Sequence, residues 1–179
     1  MSKIQKITEV ALDKMHALTD NDEPPVHAGE AMACWIYQTQ LDGVLGYCEI
    51  ALNLTQDKDA LSILNESKRL GMIHKKKLDD FMKAENIPSS DGYTQKASIN
   101  ANSVPSAIKQ SDKDIINTVQ INLIVAFGMT ATAVSQCLRV DLQILFFEIM
   151  TDVMLFGQEI LKTSKKRGWL RIPPAYQSK

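Results

Sequence analysis

Apolar side chains recur along this chain at helical spacing, in one short run and four long ones. Ile4, Ile7, Ala11, Met15 and Leu18 stand three and four apart, which predicts a short amphipathic helix near the N-terminus. Asp20-Asn21-Asp22-Glu23-Pro24-Pro25 breaks it. A first long helix is predicted over 27–54, with Cys34, Leu41, Leu45, Cys48 and Leu52 as its seam. A second is predicted over 57–85, with Thr55 as N-cap and a ladder of Ala60, Leu64, Ser67, Gly71, His74, Leu78 and Phe81. Lys68, Lys75, Lys76, Asp79 and Lys83 lie on its opposite face, and Asn86 and Pro88 end it. A third should span 112–138, opened by Asp112 and Asp114 at the positive end of its dipole. A fourth should span 141–167, with the ladder Leu142, Phe146, Ile149, Val153, Phe156, Ile160 and with Gly168 closing it.

Between the second and third long helices, residues 87–111 are polar and rich in Ser and Asn. A connection of that length is a crossover, a lid or a linker. Short turns make the flanking helices antiparallel pairs, and the long connection lets the second and third run parallel. The expected fold is therefore all-α: a ferritin-like up-down-down-up four-helix bundle with one long crossover, plus a short N-terminal helix. The expected division is an N-terminal helix and linker over 1–25, the bundle over 26–170 and a tail over 171–179.

Composition narrows the partners. The chain has 179 residues, 45% hydrophobic and 23% charged, with a net charge of -1. Near-neutrality removes the electrostatic footprint of a general nucleic-acid binder. Three cysteines, Cys34, Cys48 and Cys137, form no disulfide framework and read as reduced, buried side chains. The N-terminus carries charges throughout and does not read as a secretory signal. Residues 115–138 carry no formal charge, a length that could span a bilayer. Asn117, Thr118, Gln120, Asn122, Ser135 and Gln136 occupy its two ends, so a core helix is the expectation and no membrane span is assigned. Gly29, Gly43, Gly46, Gly71, Gly128 and Gly157 fall inside predicted helices and are expected to be points of close approach.

Three segments carry a family likeness: VHAGEAMACWIYQTQLDGVLGY, LGMIHKKKLDDFMKAENIP, in which His74 precedes Phe81-Met82 by seven residues, and ILKTSKKRGWLRIPPAY. Over roughly residues 26–176 the chain resembles the spore coat protein F-like group and its uncharacterised relatives in bacilli. The resemblance implies a ferritin-like bundle and a structural or coat-associated protein of sporulation. Such a protein is made in the cytoplasm of the mother cell and deposited in the spore coat, without known catalysis. Trp35 is expected to be a packing residue.

A ferritin-like bundle raises the possibility of a di-metal carboxylate site, which needs a Glu from each of two helices and Glu-x-x-His from the other two. His74 is the one His within a bundle-helix interior, Gly71 stands where Glu would, and the third helix has no carboxylate beyond Asp114. Glu148, Asp152 and Glu159 share a stripe about 100° from the apolar ladder and are expected to flank the core. His74 needs a polar partner there, for which Gln38 or Glu49 of the first helix are the candidates. No nucleotide-binding glycine motif or Cys-x-x-Cys occurs. Met129, Met150 and Met154, with Phe127 and Phe147, make the last two helices apolar beyond one stripe, which the N-terminal helix or a second copy would cover.

The reading is a non-enzymatic structural or assembly protein with no cofactor and no metal site, partnered by a second copy or by other coat proteins. The alternative is a degenerate ferritin-like protein holding a single metal or small ligand near His74, with Gln38 and Glu49 as further ligand candidates.

Overall fold

The computed structural model describes residues 3–18 and 23–174. Helix α1 is Lys3–His16, α2 Ala28–Leu52, α3 Lys58–Ala84, α4 Asp112–Gln136 and α5 Val140–Arg167, and no strand occurs among the described residues. The expected breaker at Asp20-Asn21-Asp22 and the tail beyond residue 174 lie outside them. The all-α expectation holds, with shifts of one or two residues at the helix ends. Two of these have a clear cause. Asp57, not Thr55, caps α3: its carboxylate accepts from the Asp59 and Ala60 N–H groups, while the Thr55 hydroxyl accepts from the Asp57 N–H and bonds Asp112. α4 ends early because Cys137 turns extended, which swings the next two N–H groups toward α2.

Contacts between helix ends fix the directions. Glu30, at the start of α2, accepts hydrogen bonds from the Leu138 and Arg139 N–H groups in the α4–α5 turn. Arg139 also pairs with Glu85 just beyond α3. At the other end, Arg167 of α5 pairs with Asp57 and Asp59 at the start of α3, and Thr55 bonds Asp112 at the start of α4. Hence α2 and α5 run one way and α3 and α4 the other, an up-down-down-up order. The chain must return along the whole bundle between α3 and α4. Around the bundle α2 touches α3 and α4, α5 touches α4 and α3, and α1 packs on α5.

The core forms two linked clusters. One holds Cys34, Tyr37, Leu41, Leu78, Met82 and Phe146; the other holds Cys48, Leu64, Ile115, Ile116, Phe156 and Ile160. Tyr37 and Phe146 meet edge to face at 5.9 Å between ring centres. The α5 ladder is buried as its spacing predicts. In α2, Tyr37 joins the seam and Leu52 is only half-buried; in α3, Met82 ends the ladder while Phe81 lies partly exposed under the Arg139 guanidinium. Trp35 is not a packing residue: it is 43% exposed. Of the helical glycines, Gly71 meets a neighbouring helix, since a Cβ there would come within 3.1 Å of Leu45 Cδ2. Gly43, Gly46, Gly128 and Gly157 have open space at that position, so the expected close approach fails for them.

The Glu30 end is a buried polar corner. His27 caps α2 with its ring nitrogen, and Glu30 returns a bond to the His27 N–H, a capping box in which imidazole replaces a hydroxyl. Glu23 accepts from the Val140 and Asp141 N–H groups, so two carboxylates satisfy the orphan donors of the α4–α5 turn. Burial opposes the charge on Glu30, but N–H donors from Arg139, His27 and Leu138 outweigh it and hold the carboxyl below its ordinary range. A carboxylate whose pKa falls on folding stabilises above its unfolded pKa, and that contribution disappears as pH drops through the folded value. Urea unfolding should show Glu30→Gln less stable than wild type by about 1–3 kcal/mol at neutral pH. The gap should narrow as pH falls below the ordinary carboxylate range and the wild-type carboxyl protonates; a gap independent of pH would contradict this.

Candidate functional site

The polar chemistry of the bundle divides between an outer groove and an interior pocket. Along the α2–α3 groove, Gln38 bonds Asp79, Asp42 pairs with Lys75 at 3.1 Å and Glu49 pairs with Lys68 at 2.9 Å. Each step along α2 is matched by an equal step back along α3, as antiparallel helices require. The same α2 side chains hold the crossover. The Ser90 N–H donates to Gln38 Oε1, the Ser90 hydroxyl bonds Asp42, and the Lys96 N–H donates to Glu49 Oε2 at 2.6 Å. Asn53 then accepts from the Ile99 N–H and donates to the Ala97 carbonyl. The N–H of Lys96 and the Lys68 ammonium hold the Glu49 carboxyl below its ordinary range. Residues 87–111 therefore lie as a strap, with regular structure only in the 3-10 turns Ala101–Ser103 and Ser106–Ile108.

This arrangement corrects the expected partners of His74. Gln38 and Glu49 are both buried on α2 beside α3 and under the strap, and both are committed to the strap and to α3. The partner of His74 comes from α5: His74 Nε2 lies 3.1 Å from Asp152 Oδ2. A carboxylate only accepts, so Nε2 carries the proton. His74 is buried and Asp152 is 40% exposed, so the pair runs from core to surface. Asp152 thus flanks the core, as its stripe predicts, and reaches inward from there. Glu148 of the same stripe pairs with Lys77 at 2.8 Å, and Glu159 is exposed.

Beside His74 the four helices enclose a cavity of about 30 Å³, lined by Tyr37, Gln40, Ser67, Gly71, Asn122 and neighbouring apolar side chains. That is room for a water molecule or two. The buried Tyr37 hydroxyl has no protein hydrogen-bond partner among the described residues, and burial, then the field of Asp152, pushes its pKa up. Tyr37 and Gln40 are two polar pocket residues that periodicity did not single out; the i, i+3 pairing of two polar-tipped side chains next to the seam was the available signal. Among the described residues no three His, Cys, Asp or Glu side chains converge as a metal-ligand set. Burial disfavours the thiolate at all three cysteines: it pushes Cys34 up to about 12 and Cys137 to about 11, and it raises Cys48, whose thiol faces Ser67.

On the far side of α2, away from the strap, α4 presents a different surface. Ile121, Ile124, Val125 and Phe127 are 58%, 71%, 45% and 40% exposed. Apolar grooves flank this ridge: one of about 550 Å³ against Met32 and Ile36 of α2, the other of about 360 Å³ against Met154 and Leu161 of α5. No charged residue lines either groove. Ser106–Gln136 is long and apolar enough to cross a membrane by length and composition, and in the bundle its Ile115, Ile116, Val119 and Ala126 are core. α1 contacts α5, where Met150 and Phe147 are half-buried.

If the His74–Asp152 pair is structural, thermal and urea unfolding should register both partners. His74→Ala should cost about 2–4 kcal/mol by leaving a cavity and an unpaired carboxylate. Asp152→Ala should cost about 1–3 kcal/mol by orphaning a buried N–H. Lys77→Ala, which breaks a surface pair, should cost under about 1 kcal/mol. Equal effects for all three would contradict the assignment.

Comparison with known proteins agrees with the resemblance carried by the three segments. The chain is 21% identical over 157 residues to the uncharacterised protein YvdQ of Bacillus subtilis (strain 168), covering 88% of this chain and 92% of that one. A crystal structure from Bacillus halodurans C-125, described as a candidate spore coat protein, matches with a TM-score of 0.84. It is 20% identical and covers 87% of this chain and 98% of its own; the likeness is one of fold. The family described as "Protein of unknown function (DUF3231)" matches residues 15–179, and the chain belongs to that family.

Proposed function

We propose that this chain is a non-enzymatic assembly protein associated with the spore coat of a bacillus, made in the mother cell. One observation carries the reading: the broad, uncharged apolar surface on α4 and its flanks. Single exposed apolar residues are ordinary, but a contiguous patch of this kind marks an interaction site. The coat assignment draws on the candidate spore coat protein of Bacillus halodurans, a neighbour in fold.

The non-enzymatic half of the reading draws on the reactive groups. Glu30, Glu49 and Arg139 each make structural bonds. All three thiols are raised well above neutral pH. The second reading, a small ligand beside His74, draws on the unpartnered Tyr37 hydroxyl, but the cavity there has room for little more than water.

Fluorescent fusions in sporulating cells test the proposal. The expected result is expression confined to the mother cell and a ring around the forespore. Uniform signal in vegetative cells would overturn it. One tightly held metal ion per chain after purification without chelator, lost in His74→Ala, would favour the second reading.

A further inference from the structure

We propose that the α4 face is the interface for a second copy of this chain, packed antiparallel about a two-fold axis near residues 126–127. The inference rests on the assembly reading of that surface and names its partner.

Helical spacing places Ile121, Val125, Gly128 and Thr132 in one straight outward stripe, opposite the buried Ala126, Thr130 and Ala133. The stripe is bulky in its first half and small in its second. Gly128 is exposed with nothing within 4 Å of its Cβ position, and the adjoining groove is floored by Gly29, Ala33 and Ala133. An isologous interface brings residue i against j and j against i. With the axis near residues 126–127, Ile121 of each copy falls against Thr132 of the other, and Val125 against Gly128. Bulk then meets hollow twice, and the small residues allow the two helices to approach closely.

Charge and area point the same way. No charged side chain lines either groove, so nothing on this face would recognise a charged partner, while two like copies meet without burying a charge. The exposed parts of Met32, Ile36, Ile121, Ile124, Val125 and Phe127 amount to about 600 Å², close to the ~800 Å² that each partner of a stable complex buries. α1 engages α5, and the strap lies over the α2–α3 side, so among the described residues no segment of the same chain covers this face.

Light scattering and sedimentation of the full chain at tens of micromolar should give the mass of a dimer. Ile124→Glu should give a monomer with unchanged helical content, because it would bury two carboxylates. Thr132→Trp, which fills the hollow at an exposed position, should also lose the dimer and serves if the first variant fails to fold. Met72→Glu, at an exposed apolar position on α3 away from the face, should remain a dimer. A monomeric wild type, or a dimer that survives both face variants, would overturn the proposal. So would a monomer that sediments with uncharged phosphatidylcholine vesicles and loses this in Ile124→Glu, since the face would then serve lipid. A wild-type monomer that still rings the forespore would defeat the dimer and leave the coat reading standing.

Discussion

The constraint on which this molecule turns is the return journey of the chain between α3 and α4. Having descended α3 to the Glu30 end, the chain must reach the opposite end before α4 can begin, and residues 87–111 do this with almost no regular structure of their own. Backbone N–H groups laid against a protein surface need acceptors. One side of α2 supplies them: Gln38, Asp42, Glu49 and Asn53 bond the strap at successive levels, and three of them also cross to α3. One row of polar side chains thereby sets the register of the α2–α3 pair and the path of the strap.

That allocation decides what each side of the bundle can do. The α2–α3 side is closed by the strap, and α1 engages α5. The face formed by α4 and the edge of α2 is left with apolar ridges and grooves facing outward. Helix α4 is apolar on two sides: its inner stripe builds the core and its outer stripe lies open. In the interior, the His74 imidazole meets the Asp152 carboxylate beside a cavity the size of a water or two.

Much of this was legible in the chain itself. The period of the apolar positions set all five helices to within a residue or two, the polar stretch 87–111 set the crossover, and Gly71 was read as a point of close approach, which the fold places against Leu45 of α2. The failures concern side chains whose partners lie far away in sequence. Nothing local says that His74 faces Asp152 on α5 instead of α2, or that Gln38 and Glu49 serve a strap some fifty residues later. Trp35 was expected to be a packing residue, yet it stands off the seam, and Tyr37, two residues on, takes the buried place. Glycines read as contact points because Cβ is missing proved to be open to solvent, which is what an external partner for α4 would require at Gly128.

The antiparallel α4 pairing is the central claim, and a distance between copies tests it most directly. The three native thiols are buried and shifted upward, so a single nitroxide attached to Gln136→Cys would label that site alone. With two copies antiparallel about residues 126–127, the labels should lie about 30 Å apart, at 1.5 Å of rise per residue. A parallel pair would place them within about 15 Å, given ~10 Å between helix axes. That short distance, or the absence of any dipolar coupling, would contradict the account.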